Sequence, residues 1–180
     1  LTYYLILPAV ILLLAAMRPV HAEPHQQDGN LLQNAGFEQP FVDGTAEGWS
    51  TWASETEKQD DTCLDGYHYL PKWNMETTSD LIEGGASSQY IGNNWDTWSA
   101  GVMQTIAATP GETYRFSFTA KGRASNEPAP APSEYGINMN MRAGIDPNGS
   151  GLWDDEDIVW SAVGSPHDAW QTFIIEATAT

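Results

Sequence analysis

The sequence predicts an all-β chain, a β-sandwich or jelly roll, and three observations carry that expectation. The stretch Val102 to Lys121 (VMQTIAATPGETYRFSFTAK) reads as strand, turn, strand, because proline presets φ at one turn position and Gly111 tolerates positive φ at the next. Behind that turn Tyr114, Phe116, Phe118 and Ala120 alternate with Arg115, Ser117, Thr119 and Lys121, a period of two that makes one face apolar and the other polar. Elsewhere about eight short strand-like runs are bounded by Gly, Pro, Asn and Asp, and no segment keeps a helical period of roughly 3.6 residues for the length a helix needs. An aromatic strand face of this kind needs a second sheet to cover it.

The chain has 180 residues. Leu5 to Ala16 is almost wholly apolar and Val20-His21-Ala22 ends in a small-x-small-like pattern, which predicts a secretory signal peptide over residues 1–22, cut after Ala22. Residue 1 is Leu and no positive charge precedes the run, but the run is shorter than the ~20 residues a membrane span requires, and no cysteine follows it to take a lipid. Residues 23–29 read as a polar linker and residues 30–180 as one domain.

Within that domain, Asn30–Pro40 (NLLQNAGFEQP) reads as a first strand anchored by Leu31, Leu32 and Phe37. Gly48–Ala53 is a short strand with Trp49 and Trp52, followed by an acidic loop. Tyr67–Trp73 is a strand interrupted by Pro71, hence at an edge. Ala86–Gly92 is another strand, and Asn93–Ser99 leads into the Val102–Lys121 unit. Ala124–Glu134 is a Pro/Ala surface loop. Tyr135–Ile145 alternates again, with Tyr135, Ile137, Met139, Met141, Ala143 and Ile145 on one face and Gly136, Asn138, Asn140 and Arg142 on the other. Ile158–Ser161 and Trp170–Thr180 complete the set. Trp49, Trp160 and Trp170, among alternating apolar residues, are expected in the core. The pattern breaks off at Thr180 within a strand, so the expected domain is C-terminally incomplete and lacks a last strand.

With 24 acidic against seven basic side chains the net charge is −17, and loss of Arg18 with the leader makes the mature chain more acidic still. Such a surface repels nucleic acid and anionic lipid. Cys63 is the only cysteine, so no internal disulfide framework exists, and the fold depends on its core or on bound metal. Eight Trp, seven Tyr and five Phe can supply that core with some left over.

The ordered set NLLQNAGFE then GW, a mid-chain SSQY, a strand ending in Gln104 then TPGETYRFSFTAKG, and MRAGIDPNG, IVWS and DAWQTFIIEATAT resembles the jelly-roll carbohydrate-binding modules of the cellulase-C type, in their bacterial extracellular variant. These modules lie within the galactose-binding-like superfamily. The likeness covers Asn30 to Thr180. It implies a secreted or cell-surface, monomeric, non-catalytic sandwich that binds a polysaccharide or glycan, with no membrane contact after leader cleavage. It also implies a structural Ca²⁺ held by an acidic residue at the end of the first strand, where Glu38 stands. The family's final strand, which returns beside the first, is expected to have no counterpart within residues 30–180.

Sugar recognition needs flat aromatic platforms for C–H faces and forked polar side chains for hydroxyls. Trp73, Trp95 and Trp98 lie in polar, turn-rich stretches (PKWNME, NNWDTWS) and are the candidate platforms. Arg115, Asn138, Asn140 and Arg142 are candidates for a hydrogen-bonding floor. The loop DPNGSGLWDDED places Asp146, Asn148, Ser150, Gly151, Asp154 and Asp157 at the first, third, fifth, sixth, ninth and twelfth positions of a calcium-loop template, although flanking strands replace the helices. No Ser/His/acid spacing, phosphate loop or Cys/His cluster marks an active site, and His68 and His167 stand alone. The expected function is therefore binding of a neutral glycan without catalysis. The alternatives are an extracellular structural or adhesion sandwich without sugar binding, and the accessory fragment of a larger glycoside hydrolase with a catalytic domain beyond Thr180.

Overall fold

Alternation is realised most fully where two nine-residue strands meet. The computed structural model describes residues 29–54, 69–93, 97–136 and 139–180. Among them ten strands form five antiparallel pairs, and the helical content is one 3₁₀ turn, Ser79–Leu81. In chain order the strands are β1 (Phe41–Val42), β2 (Thr45–Ala46), β3 (Ser50–Ala53), β4 (Lys72–Glu76), β5 (Ser88–Gly92), β6 (Ala100–Met103), β7 (Thr113–Lys121), β8 (Gly144–Ile145), β9 (Val159–Trp160) and β10 (Trp170–Thr178). The pairs are β1–β2, β3–β6, β4–β5, β7–β10 and β8–β9. β2 lies beside β4, and β8 and β9 beside β10. The chain is thus all-β with almost no helix, built of short strand pairs.

The β7–β10 register sets Phe118 opposite Phe173, Phe116 opposite Ile175 and Tyr114 opposite Ala177 on one face. On the other face Arg115 meets Glu176 and Thr119 meets Thr172, whose hydroxyls are 3.1 Å apart. Phe118 and Phe173 stack with centroids 4.9 Å apart, and Phe116 continues the row at 6.0 Å from Phe118. Among the described residues the buried apolar side chains other than prolines are Phe173, 3% exposed, and Ala177 on β10, Ala46 on β2 and Ala143 just before β8, so β10 supplies the one large buried side chain. Trp170 differs by an odd number of residues from Phe173. It therefore falls on the polar face opposite Lys121, half-buried, not in the core. Trp49 packs on Phe37 at 4.7 Å, and its indole N–H donates to the Asn34 carbonyl.

The Pro110–Gly111 turn forms as the residues dictate. The Glu112 N–H donates to the Thr109 carbonyl at 3.1 Å and Gly111 has φ +88°, the type II arrangement. Its flanking strands, however, do not pair with each other: β6 joins β3 and β7 joins β10. The connection between them, residues 104–112, is longer than hairpin loops tolerate, and each strand finds a better-matched partner far along the chain.

Two further strand expectations are corrected. Asn30–Pro40 is a tight loop. The Asn34 amide accepts from the Glu38 N–H (2.7 Å) and donates to the Glu38 carbonyl (2.8 Å), while Asn34 and Phe37 take left-handed φ of 45° and 53°. An Asn side chain that bonds nearby backbone competes with a sheet ladder, and here it wins. In Tyr135–Ile145 only Gly144–Ile145 is strand, with an isolated bridge from Met141 to Gly164. Gly144 pairs with Trp160 but Met141 with Gly164, so the second segment carries one extra residue, the signature of a bulge that breaks the ladder. The Ser161 hydroxyl fills the gap by accepting the Ala143 N–H at 2.9 Å. Of the predicted Tyr67–Trp73 strand, β4 begins only after Pro71, and Tyr67 and His68 lie outside the described residues.

Candidate functional site

A glycine in a strand marks a close approach, and Gly101 of β6 is the point where aromatic side chains gather. Gly101 is paired with Trp52 of β3. The Trp52 ring lies across the glycine so closely that a Cβ there would meet Nε1, Cε2 and Cζ2 at 2.7–2.8 Å. The Trp153 ring stacks on Trp52, with centroids 4.8 Å apart and planes 4° from parallel. From β4 the Trp73 indole N–H donates to the Gly101 carbonyl at 3.4 Å. Two half-buried indoles, Trp52 and Trp73, thus meet at one glycine, and the half-buried Trp153 stacks on the first of them. Gly44 admits the β4 backbone in the same way: a Cβ there would sit 1.9 Å from the Trp73 carbonyl oxygen.

Trp73 therefore joins an aromatic cluster, as a platform residue should, but its companions are Trp52 and Trp153, which motif reading passes over. A lone glycine facing Trp52 across a strand pair, and a tryptophan inside an otherwise acidic loop, were the available signals. Trp98 is half-buried between two backbone contacts, Tyr69 N–H to the Thr97 carbonyl (3.2 Å) and Ser54 N–H to the Ser99 carbonyl (2.9 Å). Trp95 and Asn138 lie outside the described residues. Of the predicted polar floor, Arg115 is exposed opposite Glu176, and Asn140 is exposed. Arg142 places its guanidinium 3.9 Å from the centre of the Trp160 ring, which itself lies over Gly144. Arg115 and Arg142 thus have different partners, a carboxylate-bearing strand and an indole face.

The loop that carries Trp153 is closed by its own donors. One oxygen of Asp146 accepts the N–H groups of Asn148 and Gly149, and the other accepts the Ser150 hydroxyl (2.9 Å) and the Gly151 N–H. The Asn148 amide donates to Asp157 at 2.9 Å. Asp155, not the exposed Asp154, turns inward: the Asp157 N–H above all, with Ser150 and Asn148, holds its carboxyl below the usual carboxylate range. Glu38 is engaged likewise, accepting the Ala86 N–H at 3.0 and 3.2 Å, while the neighbouring Ser87 hydroxyl donates to the Phe37 carbonyl at 2.8 Å. Both sets offer the hard oxygens calcium prefers, but their carboxylates already accept local N–H and O–H groups. Among the described residues no three His, Cys, Asp or Glu side chains converge as a metal cluster.

Among the described residues the carboxyl groups with a resolved shift, Glu76, Asp155 and Asp168, lie below their ordinary value. For Glu76 burial pushes the group up, and the hydrogen bonds from Thr78 and Thr77 outweigh it. Comparison with known proteins finds no matching family, no matching curated protein and no matching solved structure.

Proposed function

We propose that this chain is a secreted, non-catalytic carbohydrate-binding module of jelly-roll type that recognises a neutral polysaccharide or glycan. The observation that carries the reading is the set of half-buried indoles linked through Gly101, Trp52 lying across it, Trp73 bonded to its carbonyl and Trp153 stacked on Trp52 from a polar, hydroxyl- and carboxylate-bearing loop. Trp52 is taken up between Gly101 and Trp153, which leaves Trp73 and Trp153 as the indoles to supply apolar area for pyranose C–H faces at little entropic cost, and the neighbouring polar groups suit sugar hydroxyls. The jelly-roll part draws on the all-β, wholly antiparallel strand pairs and the family likeness of the motif order. The net charge of −17 favours neutral glycans over uronate- or sulfate-rich ones. The calcium part rests on donor chemistry alone: Asp146, Asn148 and Asp157 supply oxygens that an ion would take from their present N–H partners.

A second reading, an extracellular structural or adhesion sandwich, draws on the Trp52–Trp153 stack as a clasp between loop and sheet. A glycan array probed with the folded chain, with and without a calcium chelator, separates the two: retention on neutral glycans supports the module, and an empty array supports the structural role.

A further inference from the structure

Away from the indole cluster, the end of β7 borders an open cleft of about 170 Å³ flanked by the 3₁₀ turn and the proline-rich loop. Its lining includes Asp80, Leu81, Lys121, Arg123, Pro130 and Asp168. We propose that this cleft is a separate pocket for a single pyranose residue at a glycan chain end, an inference that rests on the carbohydrate-binding reading and adds to it a subsite and a ligand form.

The cleft is well below the ~300 Å³ where pockets for drug-sized ligands begin, so it admits one small ring and not an oligosaccharide. Its charges oppose one another. Two carboxylate residues disfavour an anion, Lys121 and Arg123 disfavour a cation, and the proline and leucine side chains give an apolar wall. The complement of such a lining is a neutral ring with hydroxyls that both donate and accept and a face of C–H groups.

The polar groups are held in place by bonds to the protein. Asp168 has a left-handed backbone, φ +54°, fixed by its N–H to the Gly122 carbonyl at 2.9 Å. Ser133 donates its N–H to one carboxylate oxygen and its hydroxyl to the other, each at 2.8 Å. Each oxygen of a carboxylate has a second lone pair. Lys121 gives one of its three N–H bonds to the Asp80 carbonyl at 3.0 Å. Arg123 ties down the loop itself, through Nε to the Ala131 carbonyl (2.8 Å) and its guanidinium to the Glu127 carbonyl. A residue in a sparsely populated backbone region, locked by its neighbours beside a cleft, is the kind of feature that serves a binding site.

The test titrates the full, folded chain with the methyl glycosides of glucose, mannose, xylose and galactose and follows backbone amide resonances. At least one glycoside is expected to shift Lys121, Ala129, Ala131 and Asp168, and Asp168→Asn and Lys121→Met are each expected to weaken it by about tenfold or more. Asp168→Asn can unlatch the loop, but Lys121→Met leaves the Ser133–Asp168 clamp intact and keeps the result interpretable. Shifts confined to the indole cluster, or binding that Lys121→Met leaves unchanged, would overturn the pocket. Retention on polysaccharide that Trp153→Ala abolishes, with a silent pocket, overturns the pocket alone. No response to any sugar in either assay overturns both the pocket and the carbohydrate-binding reading.

Discussion

Trp52 and Gly101 face each other across β3 and β6, and the glycine is what lets the indole lie flat against the strand. The stack with Trp153, and through it the position of the acidic loop, depends on that contact. Gly101→Ala puts a methyl group within 2.8 Å of three ring atoms and forces Trp52 aside. The expected cost is about 1–3 kcal/mol by overpacking, read as a lowered denaturation midpoint, together with loss of the near-parallel indole stack in near-ultraviolet circular dichroism. Unchanged stability and spectrum would remove Gly101 as the organiser of the cluster.

The core prediction follows from burial. Phe173→Ala removes the 3%-exposed partner of Phe118 and is expected to cost about 3–5 kcal/mol, enough to unfold a marginal domain. Phe116→Ala, at a half-buried position of the same face, is expected to cost less. Chemical denaturation of the two variants orders them, and the reverse order would place the core on the wrong strand.

Acid sensitivity follows from Asp168. The two hydrogen bonds from Ser133 lead the causes that hold its carboxyl below its ordinary value. A depressed folded value means stability that is present above the unfolded value of ~3.9 and is lost as pH falls through the folded value. Ser133→Ala should raise the titration midpoint of Asp168 toward ~3.9, as followed by side-chain carboxyl NMR. An unchanged midpoint would mean that the clamp does not hold in solution.

Metal dependence separates a calcium loop from a solvated acidic one. Calcium bound by Asp146, Asn148 and Asp157 raises the melting temperature by mass action and does so well beyond magnesium, because a flexible many-oxygen loop suits the larger ion. With a net charge of −17 some gain is expected from any divalent ion, so equal effects of the two ions would exclude a dedicated site.

Alternation made β7 readable residue by residue, because a period of two is a local property and the strand is long, whereas in β10 the adjacent Ile174 and Ile175 and the leading Trp170 obscured which face turns inward. Partner choice was not local: nothing within Val102–Lys121 says that β6 turns to β3 and β7 to β10. Asn30–Pro40 and Tyr135–Ile145 failed as strands where a polar side chain, Asn34 or Ser161, took over backbone hydrogen bonding that apolar patterning does not register. The candidate site was legible in Trp73 alone. Trp52 looked like an ordinary strand residue and Trp153 like an incidental member of an acidic loop until Gly101 and the ring stack brought them together.

The central claim is that the indoles around Gly101 hold a neutral glycan. Affinity electrophoresis through gels containing glucan, xylan or mannan measures it most directly. The account predicts retardation of the full chain in at least one gel, and ~10–100-fold weaker retardation for Trp153→Ala and Trp73→Ala at unchanged secondary structure, from about 1–3 kcal/mol per lost ring. Migration of the folded chain unaltered in every gel, or retardation that both substitutions leave intact, would contradict it.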